Sequence, residues 1–212
     1  MAKRKRAPRG GLSPAKIIES ALEIADGDGL EALTVRRLAG VMGVSPMAIY
    51  GHFANKSQIV SALLGRVIEA FEVTEHDALE GRAWIVESFE RMRRALLNHP
   101  GVTPLLGTQA SISAQSVGVM EAIVSKLVEL GCPEKVAAES FYAMMTFTIG
   151  SAHVAYGVRQ AMAAGAMNED SSLYDGLNLE AGQTLLRMAP SIVEQGCEEN
   201  FVKVLERLCP EL

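Results

Sequence analysis

LTVRRLAGVMGVSPMAIYGHFANK, residues Leu33 to Lys56, is the stretch whose reading decides the fold. Thr34 is a natural N-cap for a short helix running to Met42, and Gly43 ends that helix where a left-handed backbone costs glycine least. Ser45-Pro46 then repeats the device of a capping hydroxyl followed by proline, which lacks only an N–H that has no intrahelical partner anyway. The helix it starts must be short, because Asn55 reads as the cap of the next one, with Gln58 at the capping-box position. Ala39 is small where the two helices must cross closely, and Leu38, Met42, Val44, Ile49 and Phe53 supply the apolar positions that hold them together. These spacings predict a helix-turn-helix.

On its N-terminal side, Ser13 and Pro14 start a supporting helix whose stripe is Ile17, Ile18, Ala21, Leu22 and Ala25, and which stops at Asp26-Gly27-Asp28-Gly29. Residues 1–12, MAKRKRAPRGGL, are basic, carry Pro8 and a Gly-Gly pair, and have no apolar period, so they predict a flexible arm. The arm reads either as a phosphate-tracking or minor-groove element or as a solvated tail.

The quoted stretch resembles the DNA-binding signature of the TetR family of bacterial transcriptional regulators. The threonine-led helix, the Gly-Val turn, the Tyr50-x-His52-Phe53 ending and Lys56 carry the match. It is close over residues 13–65 and beyond them is a likeness of layout, an all-helical body of similar size. The resemblance implies a homodimer that binds a double-stranded DNA operator and responds to a small-molecule effector.

The residues themselves divide the work on DNA. With Ile49 and Phe53 turned inward, Pro46, Met47, Tyr50 and Gly51 are left for a major groove. Met47, with Ala48 beside it, can touch a thymine methyl, and Gly51 lets the backbone approach, but none of these imitates a bidentate arginine on guanine. The resemblance implies Arg36 as the residue that reaches a base edge; Arg37 is expected near the phosphates. Thr34 and Ser45 stand at helix N-termini, where hydroxyls and free N–H groups suit an anion. The resemblance adds Tyr50, His52 and Lys56 as backbone contacts. His52 also fits a capping or packing role away from DNA, and Tyr50 also fits a half-buried aromatic with its hydroxyl at the surface.

Residues 57–212 read as helices throughout. One runs from Lys56 to about Phe71 and joins head to body; the next, about Leu79 to Asn98, presents Ile85, Phe89, Met92 and Leu96 on one face, while Arg91, Arg93 and Arg94 mostly avoid it. His99-Pro100-Gly101 marks its end, with His99 read as a helix-end or capping residue, since no carboxylate or second histidine stands at helical spacing from it. A short turn at Thr103–Leu106 and the small-residue segment TQASISAQS lead to a helix over Ser116–Leu130. The longest helix starts at Pro133-Glu134 and reaches Ala164. Its middle, FYAMMTFTIGSAHVAYG, is almost uncharged, so it should be buried nearly all round, through one stripe of Phe141, Met144 or Met145, Thr148 and Ala152 and another of Tyr142, Thr146, Ile149, His153 and Tyr156.

Two apolar faces need two partners, and a second chain is the economical candidate for one. The resemblance implies a four-helix dimer interface, here assigned to this helix and to the one expected over Leu179–Gln195, with the acidic AGAMNEDSSLYDGLN as a loop between them. A last helix covers Glu199–Leu208. Ten methionines suit an adaptable apolar cavity as well as plain core. The resemblance favours the cavity, with Phe89, Met92, Leu105, Met120, Phe141, Met145 and Thr148 as its expected lining and His153 as a polar handle.

Composition bounds the rest. The chain has 212 residues, 49% of them apolar, which is enough for a small domain fused to a larger one. The expected division is residues 1–12 as arm, 13–58 as an N-terminal three-helix helix-turn-helix DNA-binding domain and 59–212 as a larger helical-bundle domain for ligand binding and dimerisation, an all-α protein. The net charge of −5 is unevenly spread: residues 1–60 hold nine Lys/Arg against five Asp/Glu, leaving eleven against twenty for the remainder. A basic head on an acidic body suits a head that meets a polyanion. Cys132, Cys197 and Cys209 match neither a zinc site nor a disulfide framework and read as thiols in a reducing cytoplasm. No apolar run is long enough for a membrane span, and no nucleophile motif, phosphate loop or metal cluster points to an enzyme or a cofactor. The remaining alternatives are a constitutive DNA-binding or partner-binding helical protein without a pocket and, further off, an enzyme on a helical scaffold.

Overall fold

The structure, a computed structural model, describes residues 11–71, 79–106, 113–165 and 197–211, together with Thr184, Arg187 and Met188. Among them there is no strand. Eight helices follow one another: α1 (Pro14–Asp28), α2 (Val35–Met42), α3 (Pro46–Tyr50), α4 (Lys56–Glu69), α5 (Gly81–Asn98), α6 (Ala114–Glu129), α7 (Glu134–Ala163) and α8 (Glu198–Leu208). The all-α expectation holds. The arm up to residue 10, residues 107–112, the acidic segment 166–178 and most of the helix expected over Leu179–Gln195 lie outside the described residues, although Thr184, Arg187 and Met188 are helical.

Contacts divide the chain into two compact units, one within Met1–Glu69 and His99–Val117, the other within Ala70–Asn98 and Gly118–Leu212. In the first, Ser13 caps α1 by accepting from the Lys16 N–H, and Pro14 occupies the first turn. Ile17, Ile18, Ala21, Leu22, Ile24 and Ala25 are buried, and they meet Leu33, Leu38, Ile49, Ile59, Leu63, Leu64 and Val67 in one core. That core fixes α2, α3 and α4 around α1. Each element is short, so its stability comes from the shared core more than from helix propensity.

The same unit takes in the turn after α5. Asp26, in the last turn of α1, accepts the Gly101 N–H on Oδ1 at 3.1 Å and meets His99 Nδ1 with Oδ2 at 2.9 Å. Val102 and Thr103 follow as buried residues. Gly101 lies so close to α1 that a Cβ there would stand 2.0 Å from the Ala25 carbonyl oxygen. His99 is therefore the partner of a carboxylate far away in sequence, where helical spacing gave no sign of one.

In the second unit α5 packs along α7, and α8 packs on both. Phe89 and Phe141 meet with ring centroids 6.3 Å apart, and Phe147 stacks on Phe201 at 5.3 Å. Arg93 does not avoid the apolar face as expected: it is buried, its guanidinium 4.7 Å from the Phe201 ring centroid and its Nε donating to Ser151 Oγ at 2.7 Å. A flat, weakly hydrated cation can lie on an aromatic face and still use its in-plane donors. Burial pushes its pKa below the usual guanidinium range.

Helix α7 buries Ala137, Phe141, Met144, Thr148 and Ala152 along one face, the first expected stripe. The opposite face is open among the described residues, with Tyr142 66% and Val154 62% exposed and Thr146, Gly150, His153 and Gly157 also outward. Among the described residues α7 has neighbours on one side only, which leaves its second stripe to a further partner.

Candidate nucleic-acid interface

Local physics places the residues of α2 and α3 tightly. Thr34 Oγ1 accepts the Arg37 N–H at 3.1 Å, and Ser45 Oγ accepts the Ala48 N–H at 3.2 Å. Each cap spends a lone pair of its hydroxyl and leaves the O–H proton free for an anion. Gly43 ends α2 at φ 66°, and the Val44 N–H returns to the Ala39 carbonyl at 3.0 Å, which reverses the chain in three residues. After α3, the Phe53 N–H bonds back to Ile49, and Asn55 Oδ1 accepts the Gln58 N–H at 3.0 Å. Gln58 reciprocates toward the Ala54 N–H at 2.8 Å, one residue earlier than a standard capping box.

This frame sorts the side chains. Ile49 and Phe53 face the core, whereas Met47 is 75% and Tyr50 46% exposed. Pro46, Gly51, His52 and Lys56 are exposed, and Ala48 is half-buried beside Met47. Thr34 and Ser45 are exposed at the N-termini of α2 and α3. Arg36 projects from the first turn of α2 with no hydrogen bond or ion pair among the described residues. Arg37 is different: its guanidinium is paired with the Asp28 carboxylate at the end of α1. Sequence reasoning placed Arg37 near the phosphates and did not see that it is tethered. The sign it lacked was an acid at the C-terminal end of α1, the end of a helix dipole where negative charge is least favoured.

The residues expected to line an effector cavity are only partly brought together. Phe89, Met92, Phe141 and Thr148 are buried in the second unit, and Thr148 returns its hydroxyl to the Met144 carbonyl at 2.7 Å. Met145 is half-buried beside them in sequence. Leu105 belongs to the first unit. Met120 is 43% exposed, because burial on α6 begins only at Ile123. His153 lies on the open face of α7, nearly opposite Thr148 and Ala152, and so does not join the others.

None of the eight borders either of two open clefts. One, of about 1080 Å³, runs beside α1 and α4 and is lined by Ile18, Phe53, Ser61, Arg66 and Gln115 among others. The other, of about 1050 Å³, lies between α5 and α8, where Arg82, Glu87, Glu90, Lys203 and Arg207 face it. On its wall, burial and the adjacent Glu87 push the Glu90 carboxyl up; burial also works against Glu87, but its hydrogen bonds, that to Arg91 foremost, and the charge of Arg94 hold it low. No group of three His, Cys, Asp or Glu residues that could hold a metal occurs among the described residues, nor any helix long and apolar enough to cross a membrane.

Residues 17–63 match the family model described as bacterial regulatory proteins, tetR family. The chain is 31% identical over 138 residues to the class C tetracycline repressor of Escherichia coli, an alignment covering 64% of this chain and 62% of that protein. It is 24% identical over 148 residues to the transcriptional repressor DrrR1 of Streptomyces coeruleorubidus, covering 69% of this chain and 55% of DrrR1. The chain thus spans 55–62% of the length of these two curated relatives. Among solved structures, a possible TetR family transcriptional regulator of Streptomyces coelicolor superposes with a TM-score of 0.77 at 21% identity, over 93% of this chain and 97% of that one. ActR of the same organism, solved in complex with (S)-DNPA, gives 0.69 at 21% identity, over 92% and 96%.

Proposed function

The chain belongs to the TetR family of bacterial regulatory proteins, and on that premise we propose that it is a cytoplasmic, homodimeric transcriptional repressor. It binds a palindromic operator and is released by a small, largely apolar effector. The observation that carries this is the outward set on α2 and α3: an Arg36 with no partner among the described residues, an exposed Met47 and Tyr50, and Lys56 at the start of α4, all in one compact unit. A methionine exposed on a tightly capped helix packs against little among the described residues and fits a groove edge.

Residues 13–58 are assigned to DNA. Arg36 reads a base edge, Met47 and Ala48 touch thymine methyls, and Pro46 and Gly51 allow close approach. Thr34, Ser45, Tyr50, His52 and Lys56 contact phosphates. Residues 59–212 carry the dimer interface and the effector site. The open face of α7, which has no neighbour among the described residues, supports the interface; the buried aromatic layer around Phe89 and Phe141 supports an apolar effector, and the complex of ActR with (S)-DNPA supports a small-molecule one. Two heads held by one interface must meet half-sites about a helical turn apart. An effector that favours one packing of the body lowers DNA affinity by no more than its own differential affinity for the two states.

The test is selection of bound DNA from a random pool, followed by release with candidate effectors. Failure to retard any DNA at low salt overturns the proposal; binding of a selected site that no metabolite panel relieves favours a constitutive regulator. On the selected site, Arg36→Ala should weaken binding by roughly 10- to 100-fold and relax preference at one base position. Tyr50→Phe and Lys56→Ala should weaken all sequences alike, the lysine change lowering the salt slope by about one unit. An Arg36→Ala protein with unchanged preference would refute the base-reading assignment.

A further inference from the structure

Two acids close α1, Asp26 and Asp28, at the end of the helix dipole that disfavours negative charge. Asp26 has its own employment, since both its oxygens are taken by His99 and the Gly101 N–H. Asp28 has a single partner among the described residues, the guanidinium of Arg37. Both ends of this pair stand on fixed backbone. The Asp26 bonds and the close seat of Gly101 anchor the end of α1, while the Thr34 cap holds the Arg37 N–H. Asp28 is thus unable to follow Arg37 toward an external anion, and the guanidinium must choose between them. A carboxylate on the same rigid unit is present at a high effective concentration, whereas a phosphate has to be brought to it.

We propose that Asp28 is a positioning residue of the DNA interface, holding Arg37 on the end of α1 and withholding one cation from the phosphates. The proposal rests on the DNA-binding function put forward above and refines it: of two adjacent arginines, Arg36 is free to read and Arg37 is restrained. Because phosphate contacts carry no sequence information, the restraint lowers affinity for every sequence by the same factor and leaves base preference to Arg36. The pair is exposed, with side chains 44% and 54% accessible, so the restraint is modest and adjustable by salt.

The experiment measures binding to a duplex carrying the selected site and to a scrambled duplex, across a potassium chloride series. Asp28→Asn should bind both duplexes about three- to fivefold more tightly, the scale of one exposed ion pair, and steepen the salt slope by about 0.9, the signature of one more phosphate contact. Asp28→Ser should do the same. The gain should vanish in an Arg37→Ala background, and Glu31→Gln, an equal change of net charge on the exposed turn before α2, should not reproduce it. A gain that persists without Arg37, an equal gain from Glu31→Gln, or an Asp28→Asn protein with wild-type affinity and slope would each overturn the proposal. If wild-type protein retards neither duplex, it is the DNA-binding function itself that falls, a result distinct from those three.

Discussion

Gly150→Glu is expected to leave the protein folded and monomeric, with operator affinity reduced about 100-fold or more. Gly150 sits on the open face of α7, and a Cβ built there meets nothing within 4 Å among the described residues. The backbone is helical at that point, so exchanging glycine for glutamate should raise the stability of a single chain by roughly 0.5–1 kcal/mol. A partner helix laid against Tyr142, Thr146, His153 and Gly157 would instead meet a charged side chain at its closest approach, with no room and no water for it. Losing the partner removes the second head, and with it the intramolecular gain of roughly 10²–10⁴ that joining two binding modules gives. Sedimentation and gel retardation check both halves. A Gly150→Glu protein that sediments as a dimer places the interface elsewhere.

Gly101→Ala should have the opposite character, costing at least about 3 kcal/mol of folding stability while changing no surface group. The added Cβ would lie 2.0 Å from the Ala25 oxygen, 2.3 Å from its carbonyl carbon and 2.8 Å from the Asp26 nitrogen. All three are backbone atoms, so no rotamer change relieves the overlap. Either α1 shifts or the turn leaves, and in both cases Asp26 loses the Gly101 N–H. Urea unfolding followed by circular dichroism reads the effect, with Gly118→Ala as control, since nothing lies within 4 Å of a Cβ there. Equal midpoints for wild type and Gly101→Ala would refute the close packing.

The contrast between these glycines shows where sequence reading stops. Caps were legible because they are local: Ser13, Thr34, Ser45 and Asn55 each act within three residues, and all four do so in the structure. The buried stripe of α7 was legible for the same reason, as a period of 3.6 on one helix. Long-range pairings were not. Asp28 looked like part of a stop signal and Arg37 like a phosphate contact, and only the fold brings them together. His99 appeared to lack a partner because the search was confined to helical spacing, while its carboxylate lies 73 residues away. The expected effector lining is dispersed for a related reason: membership of a helix does not say which of its faces is inward, and Met120 and His153 lie on outward ones.

The seat of the His99–Thr103 turn on α1 also bears on how the protein is made. The N-terminal unit looks from its helix order like something that could be finished early, yet its packing includes residues that follow α5. On the ribosome, α1 to α4 must wait with the Ala25 carbonyl uncovered and Asp26 unpaired until the chain has grown past Thr103. Closing so distant a contact is slow compared with forming a helical turn. A head excised after α4 would therefore be a permanently unfinished version of the one in the intact chain.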